Sequence, residues 1–283
     1  MNSEKLSLDH IGMLYGRLKE AHTHVSEYSF ANLYLFREAH DYEVIFDREI
    51  FVFGVTYDGL RYIMPTRDVR TMESGYLKKM MREFGVLFPI PEEWMTAFNG
   101  EEFEFSALDG DTDYIFTVEK IKTYAGKKLH SKRNLLQQFM DNYEHTVAPL
   151  TPGLHSDAIA VLDAWQAESG MTKNETDYYP CMEALQLQDK LVLCGGIYYA
   201  ENEPAGFILG EEINEKMFAL HFAKGIRKFK GIYQFMYNNC AKVMPAHYTF
   251  INFEQDLGKI SLRQAKSSYI PDMMVKKYRV RLK

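Results

Sequence analysis

The sequence has 283 residues, 46% hydrophobic and 25% charged, so we expect a packed core, with room for two domains of about 140 residues. The formal net charge of −6 disfavours duplex-DNA binding, because that function normally needs a basic excess. No apolar run approaches the roughly 18 residues of a membrane span, and nothing resembles a signal peptide. The three cysteines have no metal-ligand spacing. These features predict a cytoplasmic protein without transmembrane segments.

The first half predicts helices followed by a run of strands. Residues 11–18 carry apolar side chains at helical spacing, and Ser29 is a suitable N-cap for a second helix. Residues 42–65 are rich in β-branched and aromatic residues around the turn at 57–59, which predicts a hairpin or meander. The remaining predicted elements are helices at 75–84 and 91–98 and strands at 103–106 and 113–119.

The character of the sequence changes between residues 120 and 152. Residues 127–144 predict a helix with a basic start and an apolar stripe, and two prolines between 147 and 152 end regular structure. We place the domain joint in this window. The predicted domains are an N-terminal domain, 1–134, and a C-terminal domain, 135–283, which carries the predicted site.

The second half repeats the order of the first. The predicted elements are a helix at 156–168 capped by Ser156 or Asp157, strands at 190–199, 205–213 and 216–223, a Lys- and Gly-rich loop at 224–231, a helix at 232–244, a strand at 248–253, a helix at 256–268 and a closing strand at 274–282. This is the order of a GNAT domain. The predicted fold class is therefore α+β, with two tandem GNAT-like (acyl-CoA N-acyltransferase-like) domains, each a mixed, mostly antiparallel sheet flanked by helices.

Three segments carry a resemblance to a known family. They are Tyr28-Ser-Phe-Ala-Asn-Leu-Tyr34, Gly126-Lys-Lys-Leu-His-Ser-Lys-Arg-Asn134 (preceded by Tyr114-Ile-Phe) and the stretch from Ile251 to Pro271. Together they resemble an uncharacterised bacterial family related to the C-terminal catalytic domain of phosphatidylglycerol lysyltransferases. The resemblance implies a tandem GNAT-like fold, similar to the FemABX aminoacyltransferases that add amino acids to peptidoglycan precursors. Lysyltransferases of this kind move an aminoacyl group from tRNA to a lipid headgroup.

Carboxylates near the end of the predicted strand at 248–253 are the first candidates for catalysis. Alternation along a strand sends Asn252 and Glu254 to one face, where a GNAT sheet splays open. We predict Glu254 or Asp256 as the general base or as the anchor for an acceptor amine, with Asn252 binding substrate. The alternative is that Asp256 caps the next helix and Glu254 pairs with Arg263 or Lys266.

The helix that follows offers two cations and a phenol. Arg263 and Lys266 are three residues apart and share a face, and Tyr269 lies three residues further on. The cations can clamp a phosphate or polarise a carbonyl group, and the GNAT resemblance implies that Tyr269 acts as general acid. The alternative is a solvated basic face that ends in a core tyrosine.

Two basic clusters are candidates for binding an anionic donor. They are Lys224, Arg227, Lys228 and Lys230 with Gly231 at a helix start, and Lys127, Lys128, His130, Lys132 and Arg133 at the domain joint. A GNAT domain holds the coenzyme A pyrophosphate at the first position. However, Gly225 and Gly231 are too far apart for the usual glycine pattern, which shifts weight towards aminoacyl-tRNA. The alternative for both clusters is solvated surface charge.

The leading hypothesis is an acyltransferase or aminoacyltransferase that moves an activated acyl group from an anionic donor to an amine or hydroxyl. The donor is aminoacyl-tRNA or acetyl-CoA, and the acceptor is a small molecule, a peptide or a lipid headgroup. The alternatives are an acetyl-CoA-dependent N-acetyltransferase and a non-catalytic binding protein on the same fold. His221, in an alternating strand, is interpreted as a structural histidine, and no metal site is predicted.

Overall fold

The computed structural model describes residues 2–283 and contains two seven-stranded sheets with flanking helices, which confirms the predicted α+β class. The strands are β1 (Asn2–Lys5), β2 (Glu43–Phe46), β3 (Ile50–Val55), β4 (Arg61–Pro65), β5 (Val86–Pro91), β6 (Phe103–Ala107), β7 (Asp113–Thr117), β8 (His145–Pro149), β9 (Cys194–Ala200), β10 (Glu203–Asn214), β11 (Met217–Gly225), β12 (Phe250–Asn252), β13 (Met273–Val275) and β14 (Lys277–Leu282). The helices are α1 (Ile11–Lys19), α2 (Phe30–Leu35), α3 (Arg37–His40), α4 (Ser74–Phe84), α5 (Val118–Thr123), α6 (His130–Asn142), α7 (His155–Ser169), α8 (Tyr178–Gln186), α9 (Ile232–Val243) and α10 (Ile260–Ser267). Within residues 2–283, no helix is long and apolar enough to cross a bilayer.

The chain divides into two compact units. The first consists of residues up to Asp113 together with Gln255–Arg263 and Met274–Lys283, and the second of Tyr114–Glu254 and Gln264–Met273. These units do not coincide with the predicted division between residues 134 and 135. Residues 114–134 belong to the second unit, because β7 pairs within the second sheet, and short segments from the end of the chain pack with the first sheet.

The first unit contains the sheet β1-β2-β3-β4-β5-β14-β6. The strands β4 and β5 are parallel, and the other neighbouring strands of this sheet are antiparallel. The predicted cap of α2 is confirmed, since the Ser29 hydroxyl accepts the Asn32 backbone N–H at 3.0 Å. Helix α4 buries Tyr76, Leu77, Met80 and Met81 at helical spacing.

The second unit contains the sheet β13-β7-β12-β11-β10-β9-β8. From β8 to β11, neighbouring strands are antiparallel. The strands β11 and β12 then form a parallel pair, as β4 and β5 do in the first sheet. Its hydrophobic core is rich in aromatic side chains, among them Phe116, Phe139, Phe235 and Tyr269. Helix α9 packs on the sheet through this core and buries Phe235 and Met236.

The structure corrects three predictions about elements. The closing strand at 274–282 belongs largely to the first sheet, because β14 lies between β5 and β6. Helix α7 begins at His155, so Ser156 and Asp157 lie inside its first turn and do not cap it. Helix α8, at Tyr178–Gln186, was not predicted.

Candidate functional site

The parallel pair of the second sheet separates along its length. Strand β11 pairs with β12 only from Met217↔Phe250 to Ala219↔Asn252, and β11 then continues to Gly225 while β12 ends. The carboxyl-terminal part of β11 therefore runs on beyond the end of its parallel neighbour. The side chains along this part of β11 are buried, apart from the partly buried Ala223.

Glu254 stands where the chain leaves β12. The side-chain oxygen of Asn252, a fully buried residue, accepts the backbone N–H of Glu254 at 2.6 Å. Glu254 itself has φ +59°, a left-handed conformation that is uncommon outside glycine. The strand alternation predicted to place Asn252 and Glu254 on one face therefore ends at Asn252, and a tight turn sets the direction of the Glu254 side chain.

The carboxylate of Glu254 contacts a buried histidine. Glu254 Oε1 lies 2.8 Å from His221 Nδ1, and the other ring nitrogen, Nε2, lies 3.0 Å from Glu211 Oε1. The exposed fractions of these side chains are 14% for Glu254, 0% for His221 and 2% for Glu211. Glu211 was not a predicted site residue, although a carboxylate in the largely apolar stretch of β10 is the signal that could have identified it.

Two carboxylates determine the charge of His221. Burial lowers the pKa of the imidazole, but the charges and hydrogen bonds of Glu254 and Glu211 outweigh burial and raise the pKa to about 10. The histidine is therefore an imidazolium at neutral pH. Both ring nitrogens of His221 have a partner, as expected of a structural histidine, and one of these partners, Glu254, is a candidate catalytic residue.

Asp256 and Arg263 form an ion pair of their own. The Asp256 carboxylate is fully buried, accepts Arg263 Nε at 2.8 Å and accepts the backbone N–H of Gly258 at 2.8 Å. Arg263 therefore pairs with Asp256. Lys266 instead donates to the backbone oxygen of Glu254 at 3.2 Å. These contacts show Asp256 and Arg263 holding the turn before α10.

Tyr269 lies in the core of the second unit. It is 5% exposed, and its hydroxyl is 2.7 Å from the side-chain nitrogen of Gln234. Burial raises the pKa of its phenol well above the ordinary value. Phe116, Tyr237 and Phe253 surround its ring. This placement matches the alternative of a core tyrosine and not that of a general acid.

The residues of the loop cluster at 224–231 differ in exposure: Arg227, Lys228 and Lys230 are exposed, and Lys224 is not. Lys224 is buried at the end of β11, where its ammonium contacts Asp177 at 2.6 Å and lies 3.6 Å from the Trp165 ring centroid. The backbone N–H of Arg227 donates to Glu168 at 3.0 Å, and Lys228 pairs with Glu203. The backbone N–H of Lys230 donates to the Tyr143 hydroxyl at 3.3 Å.

Gly231, at the start of α9, lies close to the backbone of α6, where a side chain would not fit. Its φ is +91°, and a Cβ there would lie 2.2 Å from the backbone oxygen of Leu135 in α6. The absence of a side chain therefore allows two helices to approach closely, which differs from the predicted role in binding an anion.

The second basic cluster divides into surface and structural residues. Lys128 is exposed. Arg133 donates to the backbone oxygens of Tyr124 and Gly126 and so closes the turn before α6. Lys132 donates to the Ser268 hydroxyl at 2.6 Å and lies 4.0 Å from the Tyr269 ring centroid. Burial lowers the pKa of its ammonium group.

The first unit contains a buried ion cluster that the sequence did not predict. The ammonium of Lys277 is fully buried and lies 2.6 Å from Glu27 Oε2 and 2.7 Å from Asp113 Oδ1. Gln255 Oε1 accepts from the same ammonium at 2.9 Å. Burial raises the pKa of Glu27 to about 7 against the opposing charge of Lys277. Among residues 2–283, no group of three or more His, Cys, Asp or Glu side chains is arranged to hold a metal ion.

Solved structures share this fold. A conserved protein of unknown function from Bacteroides thetaiotaomicron VPI-5482 superposes with a TM-score of 0.87 at 23% identity, covering 100% of both chains. FemX superposes with a TM-score of 0.66 at 8% identity, covering 100% of this chain and 98% of FemX. The predicted fold of two GNAT-like domains is confirmed, and it resembles the fold of FemX.

Sequence comparison gives the family. An uncharacterised protein of Mycoplasmoides gallisepticum is 22% identical over 182 residues, which are 62% of this chain and 57% of that relative's length. The family model described as phosphatidylglycerol lysyltransferase, C-terminal, matches residues 18–281. That match covers most of the chain and confirms the resemblance inferred from its motifs. The chain therefore belongs to the family of phosphatidylglycerol lysyltransferase C-terminal domains.

Proposed function

We propose that this protein is an aminoacyltransferase, with Glu254 as the general base. The observation that carries the proposal is the position of the Glu254 carboxylate, at the end of the shorter of two parallel strands and beside the continuation of the longer one. Membership of a family named for lysyl transfer supports this choice of reaction. We further propose that the protein acts in the cytoplasm, where aminoacyl-tRNA is found.

The reaction needs one proton acceptor and one leaving group. The amine or hydroxyl of the acceptor attacks the carbonyl carbon of the aminoacyl ester, and Glu254 takes the proton that the acceptor loses. The bond between the carbonyl carbon and the ribose oxygen of the tRNA breaks, that oxygen takes up the proton returned by Glu254, and the carboxylate is restored. Asn252 supports the base by fixing the turn in which Glu254 stands.

Aminoacyl-tRNA is proposed as the donor in preference to acetyl-CoA. Lys224 and Lys228, which would face a pyrophosphate in the alternative, form ion pairs with Asp177 and Glu203. Gly231 packs against the backbone of α6. For the acceptor, the family name supports an anionic lipid headgroup, and the resemblance to FemX supports a peptide amine.

A binding protein without catalytic activity is the second candidate. The observation that favours it is that Glu254 and Asp256 both take part in ion pairs inside the protein, with His221 and Arg263. Such a protein would bind aminoacyl-tRNA or an acceptor but leave the ester intact. The two candidates therefore differ in turnover and not in affinity.

The test is transfer from labelled aminoacyl-tRNA to phosphatidylglycerol vesicles or to a lysine-containing peptide. We expect Glu254→Gln to lower the transfer rate by about 10²–10⁴-fold, the range for a general base, with bound tRNA unchanged. The matched control is Glu212→Gln, on the same strand as Glu211. The carboxylate of Glu212 accepts a hydrogen bond from the Tyr248 hydroxyl at 2.7 Å. Equal rates for E254Q and wild type would remove Glu254 as the base, and tRNA binding without transfer in wild type would favour the second candidate.

A further inference from the structure

Glu211, His221 and Glu254 form a continuous chain of hydrogen-bonded charges within the second unit, here called the carboxylate–imidazole chain. It starts on β10, crosses β11 and ends in the turn after β12. Its inner members are at most 2% exposed, and Glu254, at 14%, is its most exposed end. Because Glu254 is the exposed end of this chain, a change at Glu211 or His221 can alter how the Glu254 carboxylate meets a substrate.

Two departures from regular strand geometry direct the side chains into this chain. The register between β10 and β11 shifts from Leu209↔Phe222 to Gly210↔Leu220, which leaves His221 as the additional residue of a bulge. At the other side of the contact, Glu254 has φ +59°. Bulges and left-handed residues turn side chains away from the regular alternation, and both cost backbone energy. Here the bulge and the left-handed residue together produce the 2.8 Å contact between His221 Nδ1 and Glu254 Oε1.

The hydrogen bonds determine where the protons are. Both ring nitrogens of His221 face carboxylate oxygens, and an ionised carboxylate only accepts hydrogen bonds. Both contacts are satisfied together when Nδ1 and Nε2 each carry a proton, which is the imidazolium. Burial opposes that charge, whereas Glu254 and Glu211 favour it and prevail. The titratable groups that hydrogen-bond to the ring are therefore one carboxylate from β10 and one from the turn after β12.

We propose that Glu211 is a positioning residue, which keeps His221 charged so that the imidazolium holds the Glu254 carboxylate in the orientation needed to accept a proton. Glu211 acts through His221 and does not touch substrate. The inference rests on the proposed function, in which Glu254 is the base. Without Glu211 the ring has one anionic partner instead of two, so it loses its proton at lower pH and with it the fixed orientation of Glu254.

The first experiment is the pH dependence of aminoacyl transfer between pH 6 and 10 for wild type and Glu211→Gln, with E212Q as the control. We expect E211Q to lower kcat by about 10–100-fold with KM nearly unchanged, comparable to the removal of partners that orient active-site ligands. The alkaline limb of the E211Q profile should also move down by about one unit or more, because one of two stabilising charges is gone. Glu211→Asp, which keeps the charge, should restore most of the limb.

The second experiment needs no transfer activity. The protonation of His221 is read from the ¹⁵N shifts of labelled histidine, assigned with His221→Gln, and the state of Glu254 from its carboxyl ¹³C shift. We expect wild type to keep both ring protons at neutral pH, and E211Q to lose one at lower pH than wild type, with a changed Glu254 shift. If wild type transfers from no donor, the proposed function fails, and these spectra still decide whether Glu211 controls the ring.

Two outcomes would overturn the positioning role. One is an imidazole in E211Q that titrates as it does in wild type. The other is an E211Q protein with an altered imidazole but wild-type kcat and pH profile, which would make the chain a structural ion network only. If E211Q does not fold, E211D decides, since the proposal requires a variant that keeps the ring charged to keep most of the wild-type kcat, and a charged ring with a strongly lowered kcat would contradict it.

Discussion

At the residue scale, the buried ammonium of Lys277 and its two carboxylates have a direct consequence for stability. Lys277 is fully buried and contacts both Glu27 and Asp113. Replacing it with methionine leaves two carboxylates without their cation, and breaking a buried pair in this way costs about 3–5 kcal/mol. We therefore expect Lys277→Met to lower the free energy of unfolding by that amount, measured by urea denaturation.

The matched control for K277M lies on the same strand. Arg281 pairs with Glu104 at the surface, where its side chain is 61% exposed, so Arg281→Gln should change the free energy of unfolding by less than about 1 kcal/mol. Adding Glu27→Gln to K277M should recover part of the loss, because one unpaired carboxylate is removed. A K277M protein as stable as R281Q would show that the buried charges contribute little.

The imidazolium of His221 makes stability depend on pH. Its pKa is about 10 in the folded protein and about 6.5 in an unfolded chain. Between these values the folded state binds more protons than the unfolded state, so the stabilisation is complete below pH 6.5 and is lost as the pH rises towards 10.

The comparison with His221→Gln isolates this contribution from other groups that titrate in the same range. Urea denaturation of wild type and H221Q at intervals from pH 6.5 to 10 should show the wild-type advantage shrinking by a few kcal/mol. An advantage that stays constant across this range would mean that the folded protein does not hold the extra proton.

At the scale of elements, the contact between α6 and α9 depends on one residue without a side chain. A Cβ on Gly231 would lie 2.2 Å from the backbone oxygen of Leu135, and the residue has φ +91°. Gly231→Ala must therefore move a helix as well as strain a backbone, and we expect a loss of about 2 kcal/mol or more in the free energy of unfolding.

A substitution at Gly170 measures the cost of the strained backbone without the cost of moving a helix. Gly170 ends α7 with φ +69° and ψ 7°, and a Cβ there would meet nothing within 4 Å. Gly170→Ala should therefore show the backbone cost alone, about 1 kcal/mol. If G231A and G170A lose the same stability in thermal or urea unfolding, the approach of α6 to Gly231 is looser than the structure indicates.

At the scale of the whole molecule, local signals in the sequence predicted elements well and predicted pairing poorly. The Ser29 cap, the strands within 42–65 and helix α4 each depend on neighbouring residues, and all three were predicted. The sheet to which β14 belongs depends on β5 and β6, about 190 and 170 residues earlier in the chain, and no local pattern carries that information.

The candidate site followed the same rule. Asn252 and Glu254 could be chosen as candidates because they lie two residues apart at the end of one strand. The contact of Glu254 with His221 could not, because it requires the parallel pairing of β11 with β12 and a bulge at one residue. The two interpretations of Tyr269, as a general acid or as a core tyrosine, could not be separated, because the spacing of residues does not distinguish a cleft from a core.

The position of β14 gives a prediction for the molecule as a whole. It pairs on one side with β5 and on the other with β6, and it contributes both Lys277 and the fully buried Val280 to the first unit. Removing residues 277–283 would leave two strands with unpaired backbone groups and expose the face that they cover. We expect the truncated protein to lose cooperative thermal unfolding and to bind a hydrophobic dye, whereas R281Q should behave as wild type. A truncated chain that unfolds cooperatively near the wild-type Tm would mean that the first sheet is complete without its C-terminal strand.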